Sequence, residues 1–177
     1  MRKIGQTFKI LIPVIALVAL VVFLVGAGRR ERARLEKNKA IVIRDGEEVW
    51  NKGDMAAVDE LFASDYVRHT AGQPDLQGRE ALKQHVKAIH TAWPDFHCTP
   101  EIMVAEGDKV AVRWRITGTH QGTAWGIPPT GNKTDFVSVI FHRIAGGKVV
   151  EEWEVNETAM LLQIGFKLVP PGGGGGE

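Results

Sequence analysis

Two side chains that could transfer a proton stand at the ends of apolar strand faces. In KVAVRWRITGTH, apolar and polar residues alternate with a period of two, so His120 continues the apolar face and Gly118 leaves space just before it. In KVVEEWEVNE, Glu157 continues the face that carries Trp153. Burial raises the pKa of a carboxyl group toward neutrality, which suits a general acid or base. The pattern therefore predicts acid–base chemistry at Glu157 and His120.

Neighbouring residues leave structural alternatives open. Glu157 immediately precedes a predicted helix that begins at Thr158, so its charge could instead complement the helix dipole. The strand DFVSVIFHRI is apolar on both faces. If the face that carries Ser138 and His142 is the inward one, both polar groups need hydrogen-bonding partners. His142 is then either a core histidine or part of the site.

The other residues that could react or bind a metal, together with the net charge, argue against several classes of function. Cys98 is the only cysteine, which excludes an intramolecular disulfide and a cysteine-rich zinc site, and we interpret it as a small buried residue rather than a nucleophile. We expect His85 and His90 to face solvent, and their spacing of five does not form a metal pair. The net charge of +1 argues against a nucleic-acid partner. No phosphate-binding loop, GxSxG or HExxH motif occurs.

Helices come first along the chain and strands follow, an order that predicts an α+β fold with helices packed on one face of a curved antiparallel sheet. Apolar periodicity predicts helices over residues 32–51, 54–62, 78–93 and 158–164. Predicted strands cover residues 97–107, 109–120, 135–144 and 148–157, with a short extended piece at 65–69.

The N-terminal region predicts a membrane anchor. Residues 10–28, ILIPVIALVALVVFLVGAG, carry no charge and are long enough to cross a bilayer as a helix. More basic residues follow the run than precede it, which favours a single-pass protein with a cytoplasmic domain. A cleaved signal peptide, which would export the domain, is the alternative. The predicted organisation is a basic flank (1–9), the anchor (10–28), the domain (29–168) and a disordered glycine-rich tail (169–177).

Four stretches of the chain, in order, resemble one known family. They are EEVWNKGDMAAVDELFASDYVRH, GREALKQHVKAIHTAWPDF, GDKVAVRWRITGTHQGTAWGIPPTG and GGKVVEEWEVNETAMLLQIG. Together they cover about residues 33–166 and resemble the SnoaL-like polyketide cyclases, or ester cyclases, which have the nuclear transport factor 2 fold.

The resemblance implies a cone-shaped, strongly curved antiparallel sheet, wrapped by the N-terminal helices around a deep pocket, with neither a metal nor an organic cofactor. It implies that the acid–base carboxylate is Glu157, where the family usually has aspartate, so this side chain is one methylene longer. It also implies that His69, His120 and His142 lie near the pocket and that Trp125 covers its mouth.

Two functions follow as expectations. One is a cofactor-independent cyclase- or isomerase-type enzyme that acts on a hydrophobic carbonyl compound, with Glu157 and His120 as catalytic residues. The other is a membrane-tethered, non-catalytic module that binds an apolar ligand or a partner protein. The fold also leads us to expect a homodimer. The residues expected to contact the ligand are His69, Trp125, His142, Trp153, Trp114 and Phe62.

Overall fold

In the computed structural model of the protein, the described residues are 3–156 and 159–166, and side chains are described for 20–156 and 160–166. Glu157 and the predicted tail at 169–177 lie outside the described residues. The chain divides into two structural units, Met1–Lys37 and Asn38–Glu177.

The first unit is helical from Lys3 onward. Six consecutive apolar side chains, from Leu20 to Val25, are between 49% and 69% exposed. The first half of the predicted anchor, residues 10–19, has side chains outside the described part of the chain. Among the helices of the described residues, none combines the length and the apolar character needed to cross a membrane.

The second unit carries the sheet and the shorter helices. The helices of the described residues are α1 (Lys3–Arg44), a π-helix (Asp45–Asn51), α2 (Met55–Leu61), α3 (Arg79–Ala92) and α4 (Ala159–Gln163). The strands are β1 (Phe62–Thr70), β2 (Leu76–Gln77), β3 (His97–Glu106), β4 (Lys109–Thr119), β5 (Lys133–Ala145) and β6 (Lys148–Asn156).

Local sequence explains where these helices begin and end. Asp54 caps α2, because its carboxylate accepts a hydrogen bond from the backbone N–H of Ala56 at 2.8 Å. On α3, Leu82 and Val86 form a buried apolar stripe, as the spacing predicts. The helix stops before Pro94, whose ring cannot continue it.

The six strands form one mixed sheet in the order β2-β1-β6-β5-β4-β3. All neighbouring pairs are antiparallel except β1 and β6, which run parallel. The expectation of a wholly antiparallel sheet is therefore wrong at this pair. The extended piece predicted at residues 65–69 is a nine-residue strand. Its partner lies near the far end of the chain, and local patterning carries no information about so distant a neighbour.

The inner face of this sheet packs against the helices through apolar side chains. Phe62 and Tyr66 of β1 are buried there, with their rings edge to face at 4.9 Å. Val110 and Val112 of β4 are buried on the same face, as the alternation of that strand predicts. Phe62 thus belongs to the core.

A β-bulge in β6 reverses the faces that the sequence predicts for that strand. Arg143 of β5 pairs with Glu151, and the next β5 residue pairs with Val149, so Val150 is the extra residue. Beyond the bulge, Glu152 is 1% exposed, whereas Val155 is 57% exposed. The predicted inward face of Trp153 is therefore wrong, because one inserted residue shifts a period-two pattern to the opposite side. The alternation that predicted an inward Glu157 fails with it, so the assignment of Glu157 rests on the family resemblance.

Candidate functional site

A cavity of about 660 Å³ is lined by the inner face of the sheet, the π-helix, α3 and α4. Most of its surface is apolar. The tryptophan and phenylalanine side chains that line it are Trp50, Trp93, Phe96, Trp114, Trp125, Phe136 and Phe166. A cavity of this size and character suits an organic molecule, held by apolar contacts and oriented by a few polar groups.

A buried ion pair forms one polar part of the wall. The Nη2 of Arg68 donates to the Oε1 of Glu154 at 2.6 Å, and the two side chains are 4% and 11% exposed. Glu154 also accepts hydrogen bonds from the hydroxyls of Thr70 and Ser138. The guanidinium lies 4.9 Å from the ring centre of Trp50, within the range of a cation–π contact.

The pair stays charged although it is buried. Burial opposes the ionisation of Glu154, but Arg68 and Thr70 hold its pKa below the ordinary value. Burial also opposes the charge on Arg68, yet Glu154, Tyr66 and Glu152 raise the pKa of that guanidinium. The Nε and Nη1 of Arg68 are buried without a hydrogen-bonding partner among the described residues, so this cation keeps unused donors.

A second buried carboxylate, Glu152, lies beside this pair. Its Oε1 accepts from the Nδ1 of His142 at 2.7 Å, and its Oε2 accepts from the Tyr66 hydroxyl at 2.5 Å. The Nη1 of Arg68 is 3.8 Å from the same Oε2. Burial alone would raise the pKa of Glu152, but His142, Arg68 and Tyr66 hold it below the ordinary range. This settles the open question about β5: its face with Ser138 and His142 is the inward one, and both groups are hydrogen-bonded.

Asp45, on the π-helix, is a third buried carboxyl group and lines the cavity. The residue is 1% exposed, and its Oδ1 has no hydrogen-bonding partner among the described residues. Burial, and then the charge of Glu152, raise the pKa of Asp45 well above its usual value, while Arg68 and Trp50 oppose the shift. Asp45 is therefore the carboxyl of this group that keeps its proton most strongly.

Asp45, His142 and Glu152 also meet the distance criterion for a metal site, since one potential ligand atom of each lies within 4.8 Å of the others. The chemistry of this set does not favour a cation. Both oxygens of Glu152 already accept hydrogen bonds, and a guanidinium stands beside it. Two remaining ligands are fewer than a zinc site uses.

His85 and Cys98 also line the cavity, and the sequence predicts the burial of only one of them correctly. His85 lines the cavity, so the expectation that it faces solvent is wrong; it lies at the edge of the apolar stripe of α3, which turns toward the cavity. Burial lowers the pKa of His85 to about 4, with Arg68 adding to the effect, so the ring is neutral at pH 7. Cys98 is buried, as predicted, and burial raises the pKa of its thiol, so the reactive thiolate is disfavoured.

His120 is fully buried at the end of β4, as the alternation predicts. Its Nδ1 pairs with the Thr130 hydroxyl at 3.0 Å, and its ring packs against Trp93 at 5.1 Å. Trp93 fills the space that Gly118 leaves, since a Cβ there would lie 3.1 Å from the Trp93 ring. Among these residues it is Trp93 that lines the cavity, with His120 behind it.

The other candidate residues are distributed over both faces of the sheet. Trp114 and Trp125 line the cavity, and Trp125 is 47% exposed at its edge. His69 and Trp153 stack on each other at 5.7 Å and are not among the lining residues. His69 instead pairs with Asp75 and Glu151. Of these four residues, Trp114 and Trp125 line the same cavity, whereas His69 and Trp153 do not.

Sequence reasoning missed Asp45, Arg68 and Glu154 as cavity residues. Asp45 had a detectable signal, because it lies three residues after Val42 and four before Val49, both of which are fully buried. Arg68 and Glu154 gave no local signal, since their burial depends on the pairing of β1 with β6.

Comparison with known proteins adds a family to this geometry. A family model for SnoaL-like polyketide cyclases matches residues 40–164. No curated protein matches the sequence. IdmH from Streptomyces antibioticus, a candidate polyketide cyclase, is 29% identical, with a TM-score of 0.63 over 73% of this chain and 99% of IdmH.

Two further solved structures are similar. AclR from Streptomyces galilaeus, a candidate hydroxylase, is 28% identical, with a TM-score of 0.64 over 72% of this chain and 94% of AclR. A candidate SnoaL-like polyketide cyclase from Jannaschia sp. CCS1 is 24% identical, with a TM-score of 0.66 over 71% of this chain and 92% of its own. At 24% identity, the similarity to the Jannaschia structure shows the fold alone. This fold is the nuclear transport factor 2 fold.

Proposed function

Because the chain belongs to the SnoaL-like polyketide cyclase family, we propose that it is a cofactor-independent acid–base enzyme of the cyclase or isomerase type. Its substrate is a hydrophobic carbonyl compound that binds in the 660 Å³ cavity. The observation that carries the proposal is a set of buried ionisable groups in the wall of an otherwise apolar cavity. Such groups move protons and stabilise developing charge more strongly than they would in water.

The roles follow the chemistry of an enolisable carbonyl compound. A carboxylate removes a proton from the carbon next to the carbonyl, and donors stabilise the enolate oxygen. The resemblance assigns the carboxylate to Glu157. Arg68 supports the second role, because it is a buried cation that lines the cavity. His120 contributes through Trp93, against which its ring packs.

The test is proton exchange, which needs no knowledge of the natural product. Aromatic β-ketoesters are incubated with the full-length chain in D₂O, and loss of the α-proton signal is followed by ¹H NMR. We expect the wild-type chain to accelerate exchange and Glu157→Gln to abolish the acceleration. Glu106→Gln, at an exposed glutamate of β3, is the matched control and should exchange as wild type. Exchange at the wild-type rate in folded Glu157→Gln would refute the role of Glu157.

Membrane attachment through residues 10–28 is a separate part of the proposal. The exposed apolar side chains from Leu20 to Val25 support it, because an exposed apolar stretch of this kind marks a binding surface. The attached domain would then draw an apolar ligand from the bilayer, whether or not it turns the ligand over. We expect the full-length chain to remain with membranes after alkaline carbonate extraction and a chain lacking residues 1–28 to be released. Release of both would exclude an anchor.

A homodimer through the outer face of the sheet completes the proposal. Ile102 and Val104 of β3 are each 60% exposed, and Phe141 of β5 is 43% exposed on the same face. Burial of this apolar surface would favour association. Sedimentation should give a dimer for the wild-type chain and a monomer for Phe141→Glu. A monomeric wild type over the micromolar range would refute this part.

A further inference from the structure

We infer that Asp45 is a proton-donating residue of the cavity, which hydrogen-bonds an oxygen of a carbonyl, enol or phenol ligand. Only the class of ligand in this inference rests on the proposed function. The position of the proton is argued from the contacts and charges of the buried groups.

The hydrogen bonds around Glu152 determine which nitrogen of His142 carries a proton. An ionised carboxylate only accepts, so the His142 Nδ1 that lies 2.7 Å from Glu152 must be the donor. In the neutral ring the Nε2 is then an acceptor, and it is buried without a partner among the described residues. The Oδ1 of Asp45 is buried in the same condition.

These two unsatisfied atoms belong to residues whose polar atoms approach each other within 4.8 Å. If Asp45 were ionised, it would present an acceptor to another acceptor, and both would remain desolvated, which is costly. A proton on Asp45 removes the desolvated charge and turns this carboxyl into a donor for a ligand oxygen in the cavity. For a neutral His142 ring, the donor and acceptor count therefore favours a protonated Asp45 over an ionised one.

The charge balance of the buried groups leads to the same result. Among the described residues, Asp45, Glu152 and Glu154 face one permanent cation, Arg68. The other titratable groups described near Asp45 are His142, Tyr66 and Cys98, and none of them is a permanent cation. Three desolvated carboxylates against one guanidinium would leave excess negative charge in a low dielectric, and holding a proton removes part of it.

Asp45 and Arg68 both line the cavity, so a ligand oxygen can meet a neutral acid and a cation together. In the donation step, the O–H bond of Asp45 breaks as an O–H bond forms on the ligand oxygen. The carboxylate left behind is stabilised by Arg68. The reverse transfer restores Asp45, so no other reactant is consumed.

The first test locates the proton directly. The full-length chain is labelled with ¹³C at the aspartate carboxyl carbons, and Asp45→Asn identifies the Asp45 signal. We expect a protonated carboxyl at pH 7. A signal that titrates in the ordinary aspartate range, near ~3.9, would overturn the inference.

A second test asks whether the charge of Glu152 affects the titration of Asp45. Glu152→Gln removes the nearby charge, so Asp45 should titrate at a lower pH than in wild type; an unchanged titration overturns the coupling. Should this variant not fold, ¹⁵N spectra of wild-type His142 locate the protons of this group instead. We expect a proton on Nδ1 and none on Nε2, whereas an imidazolium with two N–H groups would overturn the inference.

The ligand class is tested with 4-nitrophenol and 2-naphthol as probes, by calorimetry. Asp45→Ala should bind about tenfold more weakly than wild type, the size expected for one buried hydrogen bond. Asp45→Asn keeps a donor and should stay within about threefold. Asp135→Ala, at an exposed aspartate paired with Arg115, should bind as wild type. Equal affinity in Asp45→Ala, or no binding of either probe by wild type, overturns the ligand assignment.

The two sets of experiments separate the inference from the proposed function. A protonated Asp45 in a chain that exchanges no α-protons refutes the enzyme and leaves the inferred donor in place. Rapid α-proton exchange by a chain in which Asp45 is ionised would support the enzyme and refute the inferred donor.

Discussion

Gly46 offers a direct test of how tightly the wall of the cavity is packed. This glycine lies on the π-helix and is buried against Trp114. A Cβ added at position 46 would lie 2.5 Å from Cη2 and 2.8 Å from Cζ3 of the Trp114 ring. Carbon atoms pack at about 3.5–4.0 Å, so the ring must move by roughly 1 Å in Gly46→Ala.

The cost of that movement follows from two opposing effects. Overpacking of a well-packed core costs about 1–3 kcal/mol. Alanine recovers about 0.5–1 kcal/mol, because glycine loses more chain entropy in a helix. The middle values of these two ranges differ by about 1 kcal/mol, and we expect Gly46→Ala to lower the free energy of unfolding by about that amount. For a domain of this size, that corresponds to a fall in Tm of roughly 2–4 °C.

Thermal unfolding of the full-length chain, followed by circular dichroism, measures this change. Gly28→Ala is the matched control, because a Cβ at position 28 meets no atom within 4 Å. The control should be as stable as wild type or slightly more stable. If Gly46→Ala also unfolds at or above the wild-type temperature, the wall is not tightly packed there and the reasoning is refuted.

Three further changes probe the packing and the buried charges. Gly122→Ala should destabilise more than Gly46→Ala in the same melting assay, because its Cβ would overlap the backbone carbonyl of Thr91, which cannot rotate away; a smaller loss would contradict this. Asp45→Asn should gain stability over wild type between pH 3 and pH 7 in urea titrations, because burial raises the pKa of Asp45 in the folded chain only, which penalises the wild type above the unfolded pKa; a gain that does not depend on pH would count against it. Glu154→Gln leaves Arg68 buried without its partner and should cost about 3–5 kcal/mol at pH 7. Although burial opposes ionisation, Arg68 lowers the folded pKa of Glu154, so this loss should shrink as the pH falls through that folded pKa, and a constant loss would disprove the pairing.

The sequence predicts the faces of an element well where its period is unbroken. β4 has no bulge against β5, and its alternation correctly puts Val112 and His120 inside. The stripe of α3 is also regular, and Leu82 is buried as predicted. In these elements the hydrophobic pattern alone determines the inward face.

The candidate site is harder to predict because it depends on irregular and distant features. The extra residue Val150 exchanges the two faces of β6, and nothing in KVVEEWEVNE marks a bulge. Arg68 reads as an ordinary strand residue until β1 is known to lie beside β6. The polar wall of the cavity therefore arises from tertiary pairing, whereas the apolar wall follows from periodicity.

The parallel pairing of β1 with β6 has a consequence for how the chain folds. The bond between Arg68 and Glu154 joins residues that are 86 positions apart. Contacts this distant close late, because the entropy of the long intervening loop must be overcome first. Until β1 docks, both charges remain in water, so their desolvation falls in the same late step. We therefore expect docking of β1 to limit the folding rate, and Glu154→Gln to change refolding kinetics more than a substitution in the β3–β4 hairpin.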